Sequence, residues 1–281
     1  MDTSDIADAF DSAVDEALIW VSDHGAFLFD AIRGVFEGFY DGVLDLLTLP
    51  HWAVIAVVFG LLGWRLLGLV PGLLTALGLA VCWSMGLWPE TMSTFALVIT
   101  STCLALLFGL PLGVLAGLMP KLDHAVEPLL DLIQTLPPYI YLLPAIALLG
   151  FGPATALLAT LIVAMPPAIR LTSLGIRRTP KEFVELGQAT GMTGAQMFLK
   201  IRLPFAMPSI MAGINQSLMM AFGMVVIAGI VGSAGLGETI YEAIRTLDIA
   251  KSIDAAIAIV ILTMVIDRLT QSLVPAAKGK P

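Results

Sequence analysis

The chain has 281 residues, 58% hydrophobic and 13% charged, with a mean hydropathy of +0.94. A soluble domain is nearer a quarter charged, so that class is excluded and a polytopic membrane protein is left. The net charge of −8 is a local feature: residues 1–50 hold eleven acidic side chains and one basic one, Arg33, and the rest of the chain sums to +2.

Residues 1–50 alternate acidic and apolar positions at helical spacing. Phe10, Val14, Ala17 and Val21 form one stripe; Ile32, Phe36, Phe39, Val43 and Leu46 form another, interrupted by Gly34, Gly38 and Gly42. Neither is long or apolar enough to span a bilayer. They read as amphipathic helices at the membrane surface or against a bundle. No positive region precedes the first apolar run, so a cleaved signal peptide is not expected.

Seven apolar segments follow, at 52–69, 71–88, 93–118, 128–149, 153–172, 208–231 and 254–274. Each is about long enough to cross ~30 Å of hydrocarbon. The first two are separated only by Val70-Pro71-Gly72, which predicts a tight helical hairpin over 51–90. Cys82 and Cys103 lie inside apolar runs and read as small buried hydrophobes. His24, His51 and His124 have no metal-ligand spacing. The acidic balance argues against a nucleic-acid partner.

The longest polar interruption in the second half is Thr179–Pro204. Thr179-Pro180-Lys181-Glu182 is a capping-box pattern with proline at the first helical position, and Thr193-Gly194-Ala195-Gln196 is a second box. Gly191 stands where the first helix should stop, and Pro204 where the second should end. Two short helices joined by a sharp bend are expected. If this loop is cytoplasmic, eleven of the fourteen lysines and arginines fall on the inside, leaving Arg33, Arg245 and Lys251 outside. The positive-inside rule then puts the N-terminus outside and the tail 276–281 inside. The outer loop from Ser233 to Ser252 is predicted to turn at Gly232, Gly235 and Gly237 and to form a short helix over 238–247, a lid or docking surface.

No nucleophile elbow, zinc pattern or Walker loop is present, and no catalytic residue is assigned. The segment centres hold neutral polar residues such as Thr100, Ser101, Thr102, Asn215, Gln216 and Ser217 rather than ionisable ones. A carrier without an internal ion-coupling site needs a separate motor. A short helix with Phe183, Leu186 and Thr190 on one side would suit a groove in such a partner, or would pack on its own bundle.

Glu185-Leu186-Gly187, three residues, Gly191, nine residues, then Ile201-x-Leu203-Pro204 resembles the coupling loop of ABC importer permeases. The usual pattern is Glu-Ala-Ala, three residues, Gly, nine residues, Ile-x-Leu-Pro. Leu186 and Gly187 replace the two alanines, as in the glycine betaine/proline betaine branch. Gln134-Thr135-Leu136-Pro137 to Tyr141-Leu142-Leu143-Pro144, Pro208 to Gln216, Val231 to Gly237, and Asp267-Arg268-Leu269-Thr270-Gln271 are also similar to that branch. The likeness covers roughly 90–275.

The resemblance implies an all-α polytopic fold with about seven transmembrane helices and an ABC type I importer permease core over 91–275, its coupling loop at 173–206. It implies a bacterial inner-membrane protein working as two permease copies. Two ATP-binding subunits, which carry ATP and magnesium, would dock on the cytoplasmic loops. A periplasmic or lipid-anchored binding protein would deliver glycine betaine, choline, proline betaine, trimethylamine N-oxide or a related osmolyte. No cofactor is implied for this chain. A methylated cation binds over aromatic faces, so Tyr139, Tyr141, Asn215, Gln216, Met219, Met220 and Met224 are candidates for a path, with ordinary helix packing the other reading. A stand-alone carrier or channel for small methylated amines is the alternative. Residues 1–50 would contact the binding protein or brace the bundle.

Overall fold

The acidic segment forms one helix where two were expected. α1 (Thr3–Thr48) runs through Gly34, Gly38 and Gly42, where an added β-carbon would meet no other atom within 4 Å outside the helix's own backbone; a glycine inside a helix costs only about 1 kcal/mol. The predicted second stripe is split. Phe36, Tyr40, Val43, Leu44 and Leu47 pack on the bundle, while Phe39 and Leu46 point outward. The structure, a computed structural model, describes residues 3–272, so the tail 276–281, with Lys278 and Lys280, lies outside the described residues, as does the Phe10 side chain of the first stripe.

α2 (Trp52–Leu67) and α3 (Leu69–Ser84) form the expected hairpin, but it turns at Gly68, φ +105°, and not at Val70-Pro71-Gly72. Pro71 is accommodated because the first helical turn has no use for its missing N–H. The two backbones touch: a β-carbon at Gly72 would lie 2.6 Å from Gly60 O. α4 (Trp88–Leu118) then crosses the bundle.

The segment 128–149 is not one straight helix. α5 (Pro120–Thr135) and α6 (Tyr139–Leu149) meet at 98°, because Leu136-Pro137-Pro138 interrupts the hydrogen-bond ladder. α5 is amphipathic and α6 apolar. α7 (Pro153–Arg177) follows, then α8 (Lys181–Ala189) and α9 (Gly194–Met197). A π-turn (Phe198–Arg202) joins α9 to α10 (Leu203–Gly229), and α11 (Leu236–Thr246) and α12 (Ile249–Ser272) complete the chain. There is no strand among the described residues.

α4, α7 and α10 make the centre. Gly109, Gly113 and Gly117 of α4 lie against Met165, Ile169 and Ile176 of α7. Gly175 lies against Ala206 and Ser209, and Gly213 against Pro167 and Leu171. Lipid tails are as apolar as leucine, so membrane helices associate by such close backbone approach rather than by hydrophobic exclusion. α4 and α7 run parallel, and α10 runs antiparallel to both.

Four helical stretches are long and apolar enough to cross a membrane: α4, α7, the continuous Gly194–Gly229 rod and α12. The bent pairs α1–α2 and α5–α6 raise the number to six if each is one span. The all-α polytopic class holds; against about seven expected spans, the described residues offer four to six by length and composition, with α3 a further apolar helix of only 16 residues. Cys82 is buried as expected. Cys103 is exposed, on the α4 face turned away from α7.

Candidate functional site

Thr179–Pro204 folds at one end of the bundle, called the loop end below. α8 begins without the predicted capping box. Thr179 Oγ1 donates instead to Ile176 O at 2.8 Å, closing the end of α7, and Pro180 takes the N-cap position without a side-chain cap. The second box forms: Gln196 N donates to Thr193 Oγ1 at 3.3 Å, and Thr193 N to Gln196 Oε1 at 3.0 Å. Between them Gly191 has φ +73°. Gly191 N donates to Gln188 O and Met192 N to Gly187 O, the paired bonds of a Schellman stop. This position requires the left-handed region that glycine enters freely.

Pro204 does not end a helix. It stands at the start of α10, and the π-turn before it lets Leu203 N reach back to Phe198 O. The wider turn keeps the proline ring clear of the preceding carbonyls, and π-bulges are often found where a helix must make such an adjustment. The second half of the loop is therefore the start of a continuous 36-residue rod, Gly194–Gly229, with α8 on the other side of the bend at Gly191.

The seven predicted loop residues divide by burial. Gly187 and Ile201 are buried together: a β-carbon at Gly187 would sit 2.6 Å from Met197 Cε and 3.0 Å from Ile201 Cδ1. Leu203 packs beside Ile176, Ala206 and Ile210. Glu185, Leu186, Gly191 and Pro204 are exposed. Phe183 and Phe205 approach with ring centroids 4.9 Å apart. The result is a buried hinge with an exposed acidic and apolar ridge, Glu185 and Leu186, held at a fixed angle to the rod.

Two ion pairs at the base of the loop were not anticipated. Asp123 of α5 pairs with Arg177 and accepts from Ser173 Oγ at 2.7 Å; Asp131 pairs with Arg170. They hold α5 beside the end of α7. The polar residues Lys121, Asp123 and Glu127 just before the predicted segment 128–149, with Asp131 inside it at helical spacing, are the sequence sign of a polar-faced helix here, though not of its partners.

The candidate path residues do not form one cluster. Tyr139 is exposed at the start of α6. Tyr141 is half-buried, and its hydroxyl donates to Ile133 O at 2.6 Å. On α10, Gln216, Met219 and Met220 are exposed, Asn215 is half-buried with Oδ1 unpartnered, and Met224 is 2% exposed. Met224 is therefore a core residue and not a path residue, because it faces the other helices of the bundle. Hydroxyls of Thr100, Thr102, Thr160 and Ser217 are buried without partners.

At the far end, Gly235–Gly237 makes the predicted turn and α11 the predicted helix. Leu236 N donates to Thr94 Oγ1 at 2.8 Å, and Gly237 lies so close to Val225 that a β-carbon would overlap its carbonyl. This loop is thus seated on the ends of α4 and α10.

A protein-family model described as binding-protein-dependent transport system inner membrane component matches residues 109–279. The glycine betaine transport system permease protein OpuAB of Bacillus subtilis is 37% identical over 98% of this chain and 96% of its own length. The glycine betaine/proline betaine transport system permease protein ProW of Escherichia coli is 38% identical over 93% of this chain and 74% of its length. In solved structures, a chain of the MetNI methionine ABC transporter, inward facing, aligns with 68% of this chain and 95% of its own at a TM-score of 0.61 and 23% identity, a likeness of fold. With the glycine-packed α4–α7–α10 core and the loop hinged on its rod, these matches show that the chain belongs to the binding-protein-dependent transport system inner membrane component family, the permease subunits of ABC importers.

Proposed function

We propose that this permease moves a quaternary amine or related osmolyte (glycine betaine, choline, proline betaine or trimethylamine N-oxide) inward, powered by ATP hydrolysed on separate subunits. The observation that carries the mechanical part is the packing of α8, through Gly187, on Met197 and Ile201 at the start of the rod that ends at Gly229, which ties the exposed Glu185–Leu186 ridge to that rod across the bend at Gly191. An ATP-binding subunit gripping α8 moves that rod as a rigid lever, which is how helix-in-groove contacts transmit domain motion. ATP and magnesium belong to that partner.

Two permease copies surround the path, and two ATP-binding subunits dock on their loop ends. Gln216 supports this arrangement. It is exposed on an apolar membrane helix, and polar side chains at that depth face a bundle interior or a water-filled cavity rather than lipid. Gln216, Met219 and the faces of Tyr139 and Tyr141 then line the path, with Asn215 at its edge. A methylated cation passes weakly held, by cation–π contact rather than by a carboxylate. The loop end is cytoplasmic, so the N-terminus and α11 face the periplasm, where a periplasmic or lipid-anchored binding protein delivers substrate. Near-equal identity to glycine betaine and glycine betaine/proline betaine permeases supports the substrate class.

Labelled glycine betaine uptake into proteoliposomes tests the reading. The chain with its ATP-binding subunit and binding protein should take up solute only with ATP. Uptake by the chain alone, indifferent to ATP, would make it a stand-alone carrier.

A further inference from the structure

The α2–α3 hairpin and the last turns of α12 leave between them a groove of about 530 Å³. Leu67, Pro71 and Leu74 form one wall, Ile261, Met264 and Arg268 the other. One end is shut by close packing, where a β-carbon at Gly78 would lie 2.7 Å from Ile261 Cγ2. From that contact α3 and α12 run antiparallel, so Arg268 stands level with Leu67 and Pro71, beside the hairpin turn at the loop end.

The groove is apolar along its length and cationic at its mouth. The ion pairs among the described residues are Arg33–Glu37, Arg170–Asp131, Arg177–Asp123 and Lys251–Glu242. Arg268 is in none of them, nor is Arg65, two residues before Leu67. The nearest carboxylate in sequence, Asp267, is engaged: both its oxygens accept from Gln271 Nε2 at 2.8 Å. An unpaired guanidinium at the open end of an apolar slot between membrane helices suits a phosphate attached to a hydrocarbon chain, since arginine binds phosphate through several N–H donors at once. Basic pockets between membrane helices take anionic headgroups for the same reason.

We infer that this groove holds one anionic phospholipid, its acyl chain between Leu74 and Met264 and its phosphate on Arg268. The chain's own tail is a poor occupant. Residues 273–281 contain Lys278 and Lys280 and no acidic side chain, so they would set like charges beside Arg268. The inference rests on the bundle lying in a membrane and is independent of what is transported.

The test uses the full chain in nanodiscs of phosphatidylcholine with a minority of phosphatidylglycerol, with retained lipid read by native mass spectrometry. Wild type should retain phosphatidylglycerol over phosphatidylcholine by about fivefold, the preference one cation gives near an anionic headgroup, and Arg268→Lys, which keeps the charge but loses the fork of donors, should keep a smaller preference. Arg268→Gln should bring that ratio close to parity, and Leu74→Trp, which fills the slot, should remove the retained lipid. The inference is overturned if Arg268→Gln keeps the wild-type ratio, if Leu74→Trp retains lipid in full, or if disulfide trapping puts residues 273–281 in the groove. Loss of import in the reconstituted transporter, with lipid retention intact, would count against the transport reading alone.

Discussion

Gly187 lies with its backbone against the side chain of Ile201, and this contact sets the angle between α8 and the rod that continues into the membrane. A β-carbon at Gly187 would meet only the ends of Met197 and Ile201, which can swing aside. Gly187→Ala should therefore leave the melting temperature close to wild type, because the lost space is offset by about 1 kcal/mol of helix propensity. Gly187→Leu should lower it and expose the loop to protease, since overpacking costs about 1–3 kcal/mol. Thermal unfolding in detergent and limited proteolysis distinguish the two variants.

Asp123 serves two partners, Arg177 and Ser173 Oγ. Its side chain is 14% exposed, against 44% for Arg177. Asp123→Ala leaves Ser173 and Arg177 together without their acceptor and should destabilise by about 1.5–3 kcal/mol, the range for hydrogen bonds to a charged group. Arg177→Ala should cost less, because Ser173 keeps its bond and the guanidinium can be replaced by water. Equal shifts in the two unfolding curves would contradict that order.

Two groups of glycines should respond in opposite ways. Gly237→Ala places a β-carbon in the Val225 carbonyl, and Gly229→Ala places one in the Gly237 backbone. Neither backbone can yield easily, so losses of about 3 kcal/mol or more, or failed insertion, are expected. Gly34→Ala, Gly38→Ala and Gly42→Ala meet open space and should each stabilise α1 by about 0.5–1 kcal/mol. Membrane-fraction yield and melting temperature check both directions. If Gly38→Ala instead blocks assembly with partners while α1 remains folded, that face of α1 is an interface.

Much of this architecture was legible in the residues. Gly191 and the Thr193–Gln196 box mark their positions because both depend on local backbone chemistry, and the structure shows the bonds they require. Pro204 is ambiguous in sequence, because a proline fits the first turn of a helix as well as it stops one; the π-turn before it decides the case. The break at Leu136-Pro137-Pro138 was present in the sequence but masked by the apolar run around it. The single helix of α1 and the pairing of Asp123 with Arg177 were not legible, because both depend on which elements meet. Arg33 illustrates this: it pairs with Glu37 at 2.8 Å, with Nη1 3.3 Å from where a β-carbon on Gly150 would be. That contact favours bracing as the role of the end of α1.

On α10, Gln216→Leu should reduce uptake while leaving membrane insertion unchanged, because its side chain is exposed in the single chain. Met224→Ala, in the core, should instead lower stability by about 2–5 kcal/mol. Uptake and melting temperature, measured on the same preparations, separate the path from the packing.

The central claim is that Thr179–Pro204 transmits force between an ATP-binding subunit and the membrane helices. The most direct measurement is the ratio of solute taken up to ATP hydrolysed by the reconstituted transporter carrying Glu185→Arg or Gly191→Pro. The first reverses the charge of the exposed ridge; the second removes the φ of +73° and the N–H bound to Gln188 that make the bend. Inserted, assembled protein that hydrolyses ATP with the uptake ratio collapsed is the predicted result. A wild-type ratio in both variants would contradict the account.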